Sequence, residues 1–235
     1  MHYPLLDLTD FCFVLFFFVV PALFSPVTGS VSVPSSQDIS WTSILLYACL
    51  VIYMAFRYHI SKKNNPSKET ETSHKTVSFF SQKCVTIVTT FLYLAVSNYI
   101  ITKLAYHFGG DDAIPSIQGS VSSTGDTVFL TGWTILLAAF EEFTYRWFLP
   151  VRLRSLFLHD RTEDEYTVTI KIICELIVVC LFALAHRYMG WWAVLNAFIA
   201  GIILRSRFFI TGSVYPALIA HILYNLTAFY GILKP

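Results

Sequence analysis

Cys84–Thr102 reads CVTIVTTFLYLAVSNYIIT, 19 residues without a charge. As a helix rising about 1.5 Å per residue it would cover almost all of a hydrocarbon core about 30 Å thick. Six more apolar stretches accompany it: Phe11–Val27, with Pro21 as a kink; Ile39–Phe56, opened by Trp41 at an interface; Thr127–Leu149, broken near its end by Glu141, Glu142 and Arg146; a stretch from near Thr167 to His186; Met189–Leu204; and Ser213–Leu233, interrupted by His221. The pattern predicts an all-α, polytopic bundle of about seven membrane helices.

Composition points the same way. Of the 235 residues, 55% are hydrophobic and 13% charged, against a usual charged share of about 25%. A disordered chain and a soluble enzyme with a polar surface are both excluded on those figures. The net charge of +1 gives no field to recruit nucleic acid. The cysteines, Cys12, Cys49, Cys84, Cys174 and Cys180, lie in or beside apolar runs without a CxxC pair, and read as small hydrophobes.

Lys and Arg set the orientation. Arg57, Lys62, Lys63, Lys68, Lys75 and Lys83 follow the second stretch, Arg152, Arg154 and Arg161 the fourth, and Arg205 and Arg207 the sixth. With seven crossings these share one side, and the positive-inside tendency makes it cytosolic, along with the N-terminus. The first stretch is read as a retained helix, because its flank carries Asp7 and Asp10 without a cation and shows no small-x-small cleavage site. The loop 57–83 and the stretch Val151–Tyr166 are expected in the cytosol, with Asn64–Thr76 as a linker, and Ser25–Ser40 and Gly109–Gly125 outside. Asp111 and Asp112 read as a solvated turn. Lys171 and Glu175, four apart, are expected to pair.

Ionisable groups within a bilayer cost at least about 2.5–3.5 kcal/mol on insertion scales, so each is a functional candidate. Three clusters qualify. In Glu141-Glu142-Phe143-Thr144-Tyr145-Arg146, Glu142 and Arg146 stand four apart on one helical face and neutralise each other. Glu141 lies about 100° around the helix, free to act on a proton. His186 ends an apolar helix one turn after Phe182. His221 and Asn225 project from one face of the last helix. Taken singly, each has a plain reading as a packing ion pair, an interfacial imidazole or interhelical glue.

Together, EExxxR at Glu141–Arg146, FxxxH at Phe182–His186 and HxxxN at His221–Asn225 resemble the CAAX protease and bacteriocin-processing (CPBP) family of intramembrane proteases, which includes the type II CAAX prenyl endopeptidases. The resemblance covers roughly Thr127–Leu233. It divides the chain into accessory N-terminal helices (1–126) and a protease core (127–235). It departs from the family at Tyr145, where Phe is usual, and at Trp147, where a small residue is common.

The resemblance implies an endopeptidase that cuts a peptide bond near the membrane surface, in its CAAX branch releasing the last three residues of a prenylated protein. Glu141 would be the general base, with His186 holding the water. His221 and Asn225 would donate to the oxyanion, and Glu142 and Arg146 would support the helix. No cofactor is then required. The alternative is a zinc site of Glu141, His186 and His221, although no HExxH pattern is present. The implied partners are membrane lipid and a prenylated or membrane-associated peptide, in an endoplasmic reticulum or bacterial plasma membrane. A non-catalytic scaffold and a proton-relaying transporter are the rival classes.

One expectation sits awkwardly. Glu141 lies near the cytosolic end of the fourth stretch, whereas His186 lies far along the fifth, which enters from the same side. Straight helices would hold them on the order of 10 Å or more apart in depth. The fifth helix is therefore expected to start below the membrane surface, to tilt, or to form a shallow hairpin with the sixth.

Overall fold

The computed structural model describes residues 4–28, 30–32, 39–64, 76–109, 116–118, 124–157 and 165–230. Among these the chain forms seven continuous helices. Helix α1 runs as Pro4–Val14, a wide π turn at Leu15–Val19, and Val20–Phe24. It is followed by α2 (Trp41–Asn64) and α3 (Thr76–Gly109). Helix α4 runs as Thr124–Glu141, a π turn at Glu142–Phe148, and Leu149–Phe157. Helices α5 (Glu165–Ala185), α6 (Trp191–Thr211) and α7 (Val214–Phe229) complete the bundle. Two three-residue strands, β1 (Ser30–Ser32) and β2 (Ser116–Gln118), pair in parallel. The chain is an all-α integral membrane protein.

Among the described residues, four segments are long and apolar enough to cross a bilayer: Trp41–Lys63, Gln82–Gly109, Val168–Ala185 and Trp191–Thr211. Leu8–Phe24 and Val214–Phe229 are shorter apolar helices. Large apolar side chains cover the outer faces, as at Val88, Leu92 and Tyr99 of α3 and at Ile172 and Leu176 of α5. They are spaced four or seven residues apart, as lipid-facing stripes on a helix must be.

Several helices outrun the expected stretches. Helix α2 continues to Asn64 and α3 begins at Thr76, so the loop drawn at 57–83 contracts to 65–75, outside the described residues. Helix α4 extends eight residues past Leu149, into the expected loop Val151–Tyr166. These extensions are amphipathic, and average hydropathy does not register them. Asp111 and Asp112 lie outside the described residues. The predicted exterior loops contain the two paired strands.

Helix α4 is the axis of the bundle. All seven residues of its π turn, Glu142–Phe148, are buried, which requires neighbours on every side. Aromatic rings supply many of them. Phe18 of α1, Tyr47 of α2 and Phe140 of α4 pack mutually, edge-on or tilted, with centroids 4.9–5.4 Å apart. Tyr58 of α2 meets Trp147 edge-on at 5.5 Å. Helix α3 packs against α6 and α7 around Leu94, Leu204 and Ala217.

Two polar ties fix the register near the basic ends. Asp10 of α1 accepts a hydrogen bond from Tyr53 of α2 and lies 3.6 Å from Arg57 and 3.9 Å from Arg152. Glu175 of α5 accepts from Arg154 of α4 and from Arg205 of α6, whose Nη2 is 2.6 Å away. The partners of Glu175 are thus arginines on two other helices, beyond the local pairing expected with Lys171. Arg205 also donates to the carbonyl oxygen of Arg146. Glu175→Ala strands Arg205, which is only 6% exposed. It is expected to cost about 1.5–3 kcal/mol, read as a lower unfolding midpoint in detergent micelles.

The second tie removes the depth conflict. From Arg154, thirteen residues back along α4 reach Glu141. From Glu175, eleven residues forward along the antiparallel α5 reach His186. These are climbs of roughly 20 and 17 Å at the α-helical rise, so both groups arrive at nearly one level. The length of α4, which puts Glu141 mid-helix, accounts for the match.

Candidate active site

Glu142 and Arg146 form the buried centre. Their carboxylate and guanidinium approach to 3.3 Å, and neither residue is measurably exposed. The Arg146 guanidinium also lies 4.3 Å from the centroid of Phe182, a contact that favours a desolvated cation. The expected pair is present, with a further partner that spacing could not reveal: Nδ1 of His221, on α7, lies 2.9 Å from Glu142 Oε1. A carboxylate only accepts, so Nδ1 carries the proton and donates it.

Glu141 does not point wholly away from this centre. Its Oε2 lies 3.7 Å from Nε2 of the same imidazole. The two adjacent carboxylates thus face the two nitrogens of one ring. They straddle the start of the π turn, Glu141 as the last α-helical residue and Glu142 as the first of the turn, where successive side chains fan out by a smaller angle than in an α-helix. Burial separates them: the Glu141 side chain keeps 25% of its exposure and that of Glu142 keeps none.

That exposure opens into a cavity of about 160 Å³. Glu141, Leu137, Phe140 and Tyr145 line it from α4, Phe18 and Ala22 from α1, and Tyr47 from α2. Ala185, His186 and Tyr188 close it from the end of α5 and the turn beyond. His186 is fixed by its Nδ1, 2.9 Å from the carbonyl oxygen of Phe182. A carbonyl only accepts, so Nδ1 holds the proton, and in the neutral ring Nε2 keeps its lone pair for a water. The Phe182 ring supports the imidazole from the side, with centroids 4.8 Å apart.

The structure therefore brings Glu141 and His186 to one cavity, and His221 to both carboxylates. Neither His221 nor Asn225 is among the cavity-lining residues. Asn225 is half-buried one turn beyond His221, without a hydrogen bond among the described residues. Sequence reading passed over Phe18, Tyr47, Tyr145 and Tyr188 as parts of the site. Only Tyr145 had a local signal, since it stands four residues after Glu141 on the same helix.

The zinc alternative turns on how the donors are grouped. Among the described residues, no three His, Cys, Asp or Glu side chains are grouped to hold a metal ion. The Nδ1–H groups of His186 and His221 are held by a carbonyl and a carboxylate, which leaves each Nε2 free. No step below passes through a metal.

Residues 123–227 match the sequence model of the family described as type II CAAX prenyl endopeptidase Rce1-like. This segment belongs to the CAAX protease family. No curated protein and no solved structure matches the chain. The matched segment holds all of α4–α7 except the last two residues of α7, and with them Glu141, His186 and His221. Phe18, Ala22 and Tyr47, which wall the cavity from outside the CAAX protease segment, come from α1 and α2.

Close packing holds the support of this site. A Cβ on Gly201 of α6 would lie 3.2 Å from Cδ1 of Phe182 and 3.3 Å from Cγ1 of Val179. Phe182 carries both His186 and Arg146, so it has little freedom to yield. Gly201→Ala is expected to destabilise the fold by about 1–3 kcal/mol and to lower turnover with it. Thermal unfolding and peptide cleavage measured on one preparation check both effects.

Proposed function

We propose that this chain is an intramembrane endopeptidase in which a carboxylate activates water, with a prenylated protein C-terminus as the preferred substrate class. The observation that carries the reading is the shared cavity: an accessible carboxylate and an imidazole with a free Nε2 face one space, level with each other inside an apolar bundle.

The chemistry follows from those groups. A water between Glu141 and His186 gives a proton to the Glu141 carboxylate as its oxygen bonds to the scissile carbonyl carbon. Nε2 of His186 accepts the second water proton in a hydrogen bond and aims the attacking lone pair. The carbonyl π electrons move to oxygen. When the tetrahedral adduct collapses, Glu141 returns its proton to the leaving nitrogen, yielding an amine and a carboxylic acid. His221, anchored by Glu142, keeps Glu141 at its station, and Arg146 offsets the charge of Glu142.

A second feature favours a lipid-bearing substrate. An apolar hollow of about 370 Å³ lies between α5 and α6, lined by Ala183, Leu184, Trp191 and Phe198 among others. It shares the last turn of α5 with His186, so a peptide at Glu141 could lay a hydrocarbon chain there. The bounding membrane, endoplasmic reticulum or bacterial, is set by where prenylated substrates occur.

The test is cleavage of a farnesyl-cysteine peptide with three further residues, by purified chain in lipid vesicles. Release of the tripeptide, seen by mass spectrometry and much faster than from the unprenylated peptide, is expected. Equal rates on both peptides would remove the prenyl preference. Cleavage of neither would remove the peptidase.

A further inference from the structure

The tripeptide released by such a reaction ends in a free carboxylate. Three extended residues reach about 10 Å past the cut, so this charge lies beyond a cavity of about 160 Å³. It must be met at the rim, because a carboxylate without a partner is costly inside an apolar bundle. The hollow between α5 and α6 would take the hydrocarbon chain on one side of the site. The facing wall of the cavity is α1, through Phe18 and Ala22. The residues after the cut therefore run toward the end of α1.

A cation stands at that place. Arg187 follows His186 directly, in the short turn Arg187–Met189 between α5 and α6. Both of its chain neighbours, His186 and Tyr188, line the cavity. Its Nη1 donates to the carbonyl oxygen of Leu23, next to Ala22 on α1. The turn is pinned there a second time, since Thr28 donates to the carbonyl oxygen of Tyr188 from its N–H at 3.0 Å and from its hydroxyl at 3.2 Å. A guanidinium has five N–H donors, and Leu23 takes one. Among the described residues, Nε and Nη2 of Arg187 meet no acceptor, yet they are not sealed inside the protein. Nor does an acid pair with Arg187 among those residues. By contrast, Arg57, Arg146, Arg152, Arg154 and Arg205 each have a carboxylate within 4 Å. Arg207, two residues past Arg205, belongs to the far, basic end of the bundle and packs on Tyr93.

We infer that Arg187 determines specificity by binding the C-terminal carboxylate of the substrate, three residues past the cut, while its Nη1 stays on Leu23. This rests on the peptidase reading above. Nε and Nη2 share one edge of the guanidinium, and that edge matches the two oxygens of a carboxylate. The contact counts the tail. A longer tail carries its carboxylate past the cation, and a terminal amide offers the fork one oxygen and no charge. No bond is made or broken at Arg187. It holds the substrate from the position next to His186, so the residue that reads the end of the chain is tied covalently to the one that holds the water.

The experiment measures kcat/KM in vesicles on three farnesyl-cysteine peptides. One ends three residues later in a free acid, one is its C-terminal amide, and one carries five further residues and a free acid. Wild type is expected to prefer the short acid about 10- to 100-fold over each of the others, mainly through KM. Arg187→Gln should bring the acid-to-amide ratio to about one by slowing the acid. Its amide can still donate to Leu23, and an unchanged unfolding midpoint verifies the fold. Arg187→Lys, which keeps the charge and loses the fork, should give a ratio between the two, and it carries the test should Arg187→Gln fail to fold. A variant that slows all three peptides alike shows an arginine that only ties the turn to α1, and overturns the inference. A wild type that cleaves acid and amide equally overturns it too, as does an acid preference that survives in both variants. Each of these leaves the peptidase standing. A folded wild type that cleaves none of the peptides overturns both readings.

Discussion

Glu141→Gln is expected to reduce peptide cleavage about 10⁴-fold, the upper end of what general acid–base catalysis supplies, while the protein remains folded. The amide matches the carboxylate in shape, so the cavity walls at Phe140 and Ala185 keep their contacts. It cannot accept the proton that water must lose. The side chain is 25% exposed and lies 3.7 Å from the imidazole of His221, so stability should change by no more than about 1 kcal/mol. Single-turnover cleavage beside thermal unfolding distinguishes the two effects. A variant that is folded and fully active would show that another group activates the water.

The neighbouring carboxylate should behave in the opposite way. Glu142→Leu is expected to destabilise the protein by about 3–5 kcal/mol, because it leaves a buried cation without its counter-ion. Arg146 is among the largest fully buried side chains, and among the described residues its three guanidinium nitrogens make no hydrogen bond. Its compensation is the 3.3 Å approach of Glu142 and the face of Phe182. The double variant Glu142→Leu/Arg146→Leu should recover a large part of the loss, since two apolar side chains replace the pair without an orphaned charge. Denaturation of the four proteins of the cycle in micelles measures the coupling. A single variant within about 1 kcal/mol of wild type would mean that the pair is dispensable to the fold.

Much of the architecture was legible because lipid is a demanding solvent. Stretches such as Cys84–Thr102 have one physical solution, a helix with its backbone groups paired internally. The pairing of Glu142 with Arg146 was legible because four residues make one helical turn. What escaped had no local signature. The reach of α4 to Phe157 depends on an amphipathic tail whose partner, Glu175, lies on another helix. The π turn that aims both carboxylates at His221 follows from burial on all sides of α4. The ring of His221 is 79 residues from Glu142 in the chain, a separation that helical spacing cannot bridge. The contact of His59 on α2 with the hydroxyl of Tyr215, at 2.6 Å, spans 156 residues and has no local signal either.

The walls of the cavity come from two parts of the chain. Glu141, Tyr145 and His186 sit within residues 123–227, while Phe18, Ala22 and Tyr47 precede them. On the mechanism proposed above, the former would carry the reaction and the latter would act as a sieve on what enters beside it. A chimera that grafts foreign leading helices onto residues 124–230 should retain bond-breaking chemistry but accept a different set of side chains beside the cut. Protein engineers seeking altered selectivity would randomise positions 18, 22 and 47 first.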